Sequence, residues 1–324
     1  MKPLTSFTRK LDDAQADLLR RQLESRGYTF ESVPYARFAA HREEVKVVFY
    51  ESGKLVVQGK GTRDFVEFVL EPEVLKQVEL GYESVLKPEI LEPRLGVDES
   101  GKGDFFGPMC VAGVYVNAAI VKAWTDLGVR DSKAIGSDRK IAELAAVIGR
   151  TPGCVTSVVP IGNQAYNRLH AKLGTVNAIL AWGHARVIEN LLQREGAMQP
   201  PPLRAVSDQF AASKAVVARA LMNRGKQLEL VQRHRAEEDL AVAAASILAR
   251  HEFVTRLAAL GKQYGLTFPK GGGGSVDDAA KEFVRRHGIE NLPKVAKVHF
   301  RNAARLMAAP EPNPGKTNSA SDTG

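Results

Sequence analysis

Residues 96–108 of the chain read Gly96-Val97-Asp98-Glu99-Ser100-Gly101-Lys102-Gly103-Asp104-Phe105-Phe106-Gly107-Pro108. The apolar run 95–97 predicts a strand that ends in two adjacent carboxylates, and a Gly-Lys-Gly turn follows at once. Because neighbouring side chains on a strand point to opposite faces, Asp98 and Glu99 cannot both lie on the same solvent-exposed face of the sheet. Carboxylates beside bare glycine amides suit a divalent cation and a phosphate oxygen. Taken alone, the segment is equally well explained as a charged turn.

The same stretch partly fits the phosphate-loop pattern of nucleotide hydrolases. Gly96 is followed by Gly101 and Lys102 at the required spacing, but Gly103 stands where the pattern needs a Ser or Thr to bind magnesium. Acidic side chains inside the loop would also face the negative charge of a triphosphate. Both features argue against a nucleotide hydrolase and favour carboxylates that hold metal ions, which in turn hold a phosphate.

The composition indicates a globular protein with room for two domains. The chain has 324 residues, of which 44% are hydrophobic and 25% are charged. Its two cysteines, Cys110 and Cys154, lie in apolar strand-like runs, which is typical of reduced core residues and predicts a cytoplasmic protein. No signal-like segment opens the chain and no apolar run approaches ~20 residues, so we expect neither secretion nor a membrane span.

The net charge of +8 is unevenly distributed along the chain. Residues 1–90 hold 14 of the 45 basic and 15 of the 37 acidic residues, which leaves 31 basic and 22 acidic residues in 91–324. A basic body around a carboxylate cluster suits a polyanionic partner that needs metal-assisted chemistry at one point. A basic surface that only keeps the protein soluble is the alternative that composition leaves open.

The sequence predicts a small N-terminal domain, a linker, a larger domain and a tail. Residues 1–86 contain a helix at 11–27, a strand hairpin within 34–59 and a second helix at 62–80. A proline-containing linker at 87–94 precedes the second domain, 95–309, and the polar residues 310–324 are predicted to be disordered. The glycine run at 270–274 is predicted to be a mobile loop.

The second domain alternates strand-like and helical segments. The predicted strands occupy 95–99, 110–116, 154–159, 203–207 and 227–231, and the predicted helices occupy 137–149, 175–194 and 239–260. This alternation predicts an α/β sheet that is covered by helices.

Three acidic segments are candidates to converge on that sheet. They are Asp98 with Glu99, then Asp208 after the apolar run 203–206, then Glu237-Glu238-Asp239 at a predicted helix start. Cleavage of a phosphodiester by two divalent ions about 4 Å apart requires several carboxylates from separate segments. Taken alone, Asp208 is as well explained as a turn or cap residue, and the third cluster as acids that a helix N-terminus favours.

The segment 96–108 resembles the first catalytic motif of type 2 ribonucleases H, and its Gly-Lys-Gly points to the ribonuclease HIII branch. The resemblance spans most of the chain through Asp131-Ser132-Lys133, Tyr166-Asn167, Asp208-Gln209-Phe210 and the run 243–250. It implies a ribonuclease H-like mixed sheet with flanking helices. It also implies a small N-terminal α+β domain that is similar to the TATA-box-binding protein fold and grips the substrate.

The function that this resemblance implies is an endonuclease, a ribonuclease H that hydrolyses the RNA strand of RNA–DNA hybrids and leaves 5′-phosphates. Its cofactors would be two divalent ions, Mg²⁺ or Mn²⁺, and its partner a nucleic acid rather than a membrane. A monomer is the expected oligomeric state. The alternative is a non-catalytic RNA- or hybrid-binding protein that retains the same fold.

The resemblance also assigns roles to individual residues. The catalytic, metal-binding residues would be Asp98, Glu99, Asp208 and Glu237, with Glu238 as the alternative to Glu237. The substrate contacts would be Ser100, Gly101, Lys102 and Gly103 at the 2′-hydroxyls, then Ser132, Lys133, Tyr166, Asn167 and Ser246, with Lys54 and Lys60 in the N-terminal domain. Further candidates there are Tyr35, Arg37 and Arg63. Trp182 and His184, in an apolar helix, are expected to be packing residues.

Overall fold

The computed structural model describes residues 4–76, 88–124, 135–209, 215–234 and 236–308, together with Leu127, Val129 and Ser132. The chain divides into two units, Met1–Leu91 and Glu92–Gly324. This division falls inside the predicted linker at 87–94, whereas the domain limits themselves stay a prediction. The predicted tail at 310–324 lies outside the described residues, as do Asp131, Lys133 and Phe210.

A five-stranded antiparallel sheet forms the N-terminal unit. Its strands are β1 (Ser6–Lys10), β2 (Thr29–Glu31), β3 (Ala36–Arg42), β4 (Val45–Tyr50) and β5 (Lys54–Gln58), in the order β1-β5-β4-β3-β2. Helix α1 (Asp13–Ser25) begins at a capping box formed by Asp12 and Gln15. Helix α2 (Thr62–Phe65) continues into a π-helix, Val66–Leu75, which contains Pro72.

The N-terminal unit contains more strands than the sequence predicts. The hairpin of β4 and β5 and helix α1 lie where the hydrophobic pattern predicts them. The pattern predicts neither β1 nor β2, because both are short and β1 carries one large apolar residue, Phe7. Pairing with β5 along its whole length nevertheless makes β1 an edge strand, and Phe7 packs against the core of this unit.

The second unit is built on a mixed five-stranded sheet. Its strands are β6 (Arg94–Ser100), β7 (Met109–Val116), β8 (Thr156–Ile161), β9 (Arg204–Asp208) and β10 (Glu229–Arg233), in the order β10-β9-β6-β7-β8. The central strand β6 pairs antiparallel with β7 and parallel with β9. Each strand overlaps one of the five strands predicted from the sequence.

Helices cover both faces of this sheet. In chain order they are α3 (Ala118–Trp124), α4 (Asp138–Arg150), α5 (Asn163–Leu173), α6 (Val176–Leu192), α7 (Ala215–Ala220), α8 (Leu240–Tyr264), α9 (Gly274–His287), α10 (Leu292–Val295) and α11 (Arg301–Ala308). Helix α8 packs against β6 and β7, and α6 packs against β7 and β8. No helix in the described part of the chain is long and apolar enough to cross a membrane.

Small residues allow α8 to lie directly on β6. A Cβ atom at Gly96 would lie 2.1 Å from the carbonyl carbon of Ala241 and 2.3 Å from the amide nitrogen of Val242. On the neighbouring strand, a Cβ at Gly113 would lie 2.3 Å from Val187 of α6. Because Gly96 and Gly113 face opposite sides of the sheet, these contacts fix one helix on each face.

We predict that Gly96→Ala destabilises the second unit strongly, because the added methyl group meets helix backbone that cannot rotate away. The free energy of unfolding, measured by urea denaturation, should fall by at least ~2 kcal/mol. Gly149→Ala is the control, since a Cβ there meets nothing within 4 Å and Ala favours helix α4, for a gain of up to ~1 kcal/mol. Equal stabilities for the two variants would contradict the close contact between α8 and β6.

Candidate active site

Two neighbouring strands bring three acidic side chains to one end of the sheet. Parallel pairing aligns Val97 of β6 with Ser207 of β9, so Asp98 and Asp208 follow next in register. Glu99 comes one residue later on β6. All three carboxylates line a single cleft of ≈ 600 Å³.

The cleft also contains most of the substrate contacts that were predicted for the second domain. Its wall includes the predicted residues Ser100, Gly101, Lys102, Gly103, Ser132 and Ser246. It further includes residues that the sequence analysis does not assign, namely Asp104, Gln209, Arg250, Phe253, Val254 and Lys270. Two of these, Arg250 and Lys270, add positive charge beside the carboxylates. Lys133 lies outside the described residues.

The environment of Asp98 disfavours its negative charge. Burial, and then the neighbouring charge of Glu99, raise the pKa of Asp98 above its usual range. A hydrogen bond from the Ser246 side chain and the nearby His184 oppose this shift only in part. A carboxylate pair held in this way is stabilised by a cation, and hard carboxylate oxygens are the ligands that Mg²⁺ and Mn²⁺ prefer. The donor set therefore fits a divalent ion.

Ser246 is held by protein groups. Its side chain is 2% exposed, and its Oγ lies 2.7 Å from the Oγ of Ser132. The same side chain hydrogen-bonds Asp98. From helix α8 this hydroxyl binds both the Asp98 carboxylate and Ser132 while it lines the cleft, and its predicted contact with a phosphate or sugar stays a prediction.

His184 is a partner of Glu99, a role that the sequence analysis misses. Its Nε2 lies 3.0 Å from Oε2 of Glu99, and its side chain is 1% exposed on helix α6. Lys102 approaches the other oxygen of Glu99, with 4.0 Å between Nζ and Oε1. His184 is buried in the core as expected, and its contact with Glu99 is an additional role. The available signal was a single histidine within a buried, apolar helix, where a polar partner is required.

Tyr166 and Asn167 pack against other parts of the protein. Tyr166 is fully buried, and its ring lies against the imidazole of His299 with 5.5 Å between centroids. The Asn167 amide donates to the carbonyl oxygens of Pro293 and Ala296, at 3.2 and 2.9 Å, and its Oδ1 accepts from the amide of Val298 at 3.1 Å. Tyr166 is thus buried and Asn167 is half-buried in this structure, and their predicted contacts with a nucleic acid stay predictions.

The glycine run at 270–274 is tied to the rest of the cleft. The Gly271 amide donates to Oδ1 of Asp104 at 2.6 Å. Lys270 donates to Oδ2 of Asp138 at 2.8 Å, and Arg250 donates to Oδ1 of the same carboxylate at 2.9 Å. The hydrogen bond from Lys270, followed by that from Arg250, lowers the pKa of Asp138. The segment that glycine content predicts to be mobile is thus anchored at several points.

The third acidic segment does not join the cleft. Asp239 caps α8 and pairs with Arg94, at 2.9 Å, and with Arg233, at 3.3 Å. Glu237 is half-buried and Glu238 is exposed, and neither lines the cleft that contains Asp98. Within the described residues no group of three or more His, Cys, Asp or Glu side chains is arranged to hold a metal ion, so Asp98, Glu99 and Asp208 line one cleft without forming an assembled metal site.

The candidate substrate contacts of the N-terminal unit differ in their exposure and in whether they form ion pairs. Lys54 is exposed and lies opposite Lys10 across the β1–β5 pair. Tyr35 is 81% exposed and has a left-handed backbone, with φ of 61°. The remaining candidates are engaged in ion pairs: Lys60 with Glu44, Arg37 with Asp13, and Arg63 with Glu67.

Comparisons with known proteins match both units of the chain. A family model described as ribonuclease HII matches residues 95–303, and one described as a domain of unknown function matches residues 7–78. Curated proteins named ribonuclease HIII from Chlamydia trachomatis serovar L2 and from Protochlamydia amoebophila are each 42% identical to this chain. The alignments cover 94% and 95% of the chain and 98% of each relative.

Solved structures give the same result. The crystal structure of Bst-RNase HIII in complex with Mn²⁺ matches with a TM-score of 0.63 and 28% identity, over 94% of this chain and 98% of that one. Aquifex aeolicus RNase H3 matches with a TM-score of 0.52 and 25% identity, over 90% and 99%. These matches confirm the predicted fold class, a ribonuclease H-like α/β domain with a small N-terminal domain. Similarity of the latter to the TATA-box-binding protein stays a prediction.

We predict that Asp98→Asn stabilises the protein at neutral pH when divalent ions are absent. Because the pKa of Asp98 is raised in the folded state, its contribution to stability is present at acidic pH and is lost as pH rises toward neutrality. The gain from the uncharged amide should thus grow from pH 4.5 to pH 7.5, to roughly 1–3 kcal/mol. Thermal unfolding in EDTA at both pH values tests this, and a variant that is less stable at pH 7.5 would refute it.

Proposed function

Since the chain belongs to the ribonuclease HII family, we propose that it hydrolyses the RNA strand of RNA–DNA hybrids with the help of divalent metal ions. The family relationship already makes it a ribonuclease H endonuclease. The alternative of a binding protein that retains the fold but lacks activity is not favoured. What we propose beyond that class is which strand is cleaved, which metal ions are used and which residues bind them.

The observation that carries the proposal is the cleft in which Asp98, Glu99 and Asp208 meet beside basic side chains. These carboxylates would hold the metal ions, Mg²⁺ or Mn²⁺, and Glu237 is the proposed fourth ligand. When bound, two such ions supply the Lewis-acid chemistry that activates a water molecule and stabilises the leaving 3′-oxygen. The proposal is also supported by the Mn²⁺ complex of Bst-RNase HIII, a protein with the same fold.

Two side chains of the protein orient the carboxylates of Asp98 and Glu99. Ser246 hydrogen-bonds Asp98 from helix α8, and His184 contacts Glu99 from helix α6, so each carboxylate is oriented from a different face of the sheet. Such outer partners fix the geometry of a metal ligand and commonly change metal affinity by ~10–100-fold when they are removed. These contacts orient Asp98 and Glu99 individually and would support their role as metal ligands.

The glycine loop is the proposed reader of the RNA strand. Gly101 has a φ of 90°, and a Cβ there would lie 2.3 Å from the Pro108 carbonyl oxygen, so the chain turns sharply after β6. Gly103 faces open space, which allows a ribose to approach its backbone closely. Lys102, whose side chain is 41% exposed, would bring its ammonium to a neighbouring phosphate.

Further parts of the proposal concern the rest of the molecule. The cleft residues Arg250 and Lys270, with Ser100 and Ser132, would contact the hybrid in the second domain. In the N-terminal domain, 1–86, Lys54 and Lys60 would bind its phosphates. The enzyme would act as a monomer in the cytoplasm and leave 5′-phosphate ends.

Asp98→Asn should abolish cleavage while hybrid binding persists, because the amide removes a metal ligand but leaves the basic surface intact. We expect the cleavage rate of a labelled RNA–DNA hybrid in Mn²⁺ or Mg²⁺ to fall by ~10³-fold or more, about 4 kcal/mol in the barrier. Binding is measured with Ca²⁺ in place of the active ion.

Three controls accompany this measurement. Asp278→Asn changes an exposed carboxylate on α9 and should cleave at the wild-type rate. A chelator should stop the wild type, and single-stranded RNA and duplex DNA should remain uncut. Full activity of Asp98→Asn would refute the assignment of this cleft.

Glu237→Gln and Glu238→Gln form a matched pair that identifies the fourth carboxylate. We expect Glu237→Gln to lower kcat by ~10²-fold or more and to weaken Mn²⁺ binding in calorimetry, because it would remove a ligand. Glu238→Gln, an exposed neighbour on the same turn, should remain within about twofold of the wild type. The reverse pattern would transfer the role to Glu238, and two unaffected variants would exclude this segment from the site.

A further inference from the structure

Lys297 is a fully buried lysine, which is uncommon because the charged ammonium loses its hydration. It lies between α10 and α11, far along the chain from the cleft residues. Burial lowers its pKa to about 8, and Asp104 and Cys110 partly oppose this shift. Because the ammonium is removed from water, its charge must be stabilised by the groups that the fold places around it.

Those groups are backbone carbonyls of the segment that follows the glycine loop. Nζ of Lys297 donates to the carbonyl oxygens of Asp104 and Gly107, each at 2.7 Å. The ring of Tyr166 adds a cation–π contact, with Nζ 5.6 Å from its centroid. Charge-assisted hydrogen bonds of this length are stronger than those between neutral groups, so the ammonium holds two points of this segment at once.

The backbone around Lys297 holds the same segment. The amide of Lys297 donates to the carbonyl oxygen of Phe105 at 2.9 Å, and the amide of Gly107 donates to Val295 at 3.0 Å. From a third direction, the amide of Phe105 donates to Gly271 at 2.8 Å. The side-chain amide of Asn163 also donates to the carbonyl oxygen of Gly107, at 2.8 Å. Residues 104–107 are thus fixed by three remote parts of the chain, although they belong to no helix or strand.

This arrangement has a consequence for the loop that enters the cleft. Only Gly101, Lys102 and Gly103 separate the end of β6 at Ser100 from Asp104. One end of this short span is set by the sheet, and the other end is set by the carbonyl that Lys297 holds. Because glycines supply little stiffness of their own, the position of the loop depends on its two ends.

We propose that Lys297 is a positioning residue for catalysis, which fixes the 101–103 loop so that it meets the RNA strand at the correct distance from the carboxylates. The inference rests on the proposed function and deepens it, because it adds a buried residue outside the cleft to the machinery of that site. A displacement of about 1 Å in a substrate-positioning group can lower a rate by ~10²-fold.

The competing explanation is that Lys297 only stabilises the C-terminal segment, and Asn167→Ala separates the two. Asn167 binds the same segment, through Pro293, Ala296 and Val298, but makes no hydrogen bond to residues 101–107. Lys297→Met removes the ammonium while retaining most of the side-chain volume. If only the stability of this segment matters, both substitutions should change the enzyme in the same way.

The test combines hydrogen–deuterium exchange with steady-state kinetics. In the wild type we expect the amides of Phe105 and Gly107 to exchange as slowly as those of the central strands. In Lys297→Met, amides of 101–107 should exchange at least tenfold faster, and kcat on a labelled hybrid should fall by ~10–100-fold. The Kd for the hybrid in Ca²⁺ should change by less than about threefold, since the basic surface is untouched. Asn167→Ala should retain slow exchange of the amides of 101–107, which is the readout that separates the two variants.

Each result has a defined meaning. Fast exchange at Phe105 and Gly107 in the wild type would overturn the proposal without any variant, even if Lys297→Met failed to fold. Wild-type kcat in a folded Lys297→Met, or equally fast exchange of 101–107 in Asn167→Ala, would also overturn it. If the wild type itself did not cleave the hybrid, the proposed function would fail, whereas the exchange data would still report whether Lys297 holds the loop.

Discussion

The parallel pairing of β6 with β9 is the constraint on which the candidate site depends. Asp98 and Asp208 are separated by more than a hundred residues, yet the register Val97–Ser207 makes them neighbours. A shift of one residue would turn one of them to the opposite face of the sheet. The close contact at Gly96 fixes α8 on the same central strand, because a Cβ at this position would meet the backbone of the helix.

The site concentrates negative charge where the protein can least stabilise it. Asp98 and Glu99 are adjacent and largely removed from water, and their partners, Ser246 and His184, reduce that strain without cancelling it. Folding must supply the free energy for this arrangement elsewhere, in the packed core between the sheet and its helices. A divalent cation bound by these carboxylates would offset part of that cost, and metal binding would then raise the stability of the fold.

Hydrophobic pattern and motif order predict the five strands of the second unit and the three cleft carboxylates, because both are local properties of the sequence. What they do not predict depends on tertiary contacts. The edge strand β1 gains its structure from pairing, and the glycine run at 270–274 gains its anchors from Asp104 and Asp138. The roles of His184 and Tyr166 are likewise decided by which neighbours the fold provides.

The contrast between the two glycines of the loop makes the site accessible to chemical labelling. Gly101 needs its left-handed backbone, but Gly103 has no such requirement and a Cβ there meets nothing within 4 Å. Position 103 therefore tolerates an introduced thiol. The native thiols would not compete for a reagent at neutral pH, because burial raises the pKa of both Cys110 and Cys154 to about 12. A single fluorophore there could thus report the mobility of the loop in the free protein, although it would occupy the space through which a ribose would approach Gly103.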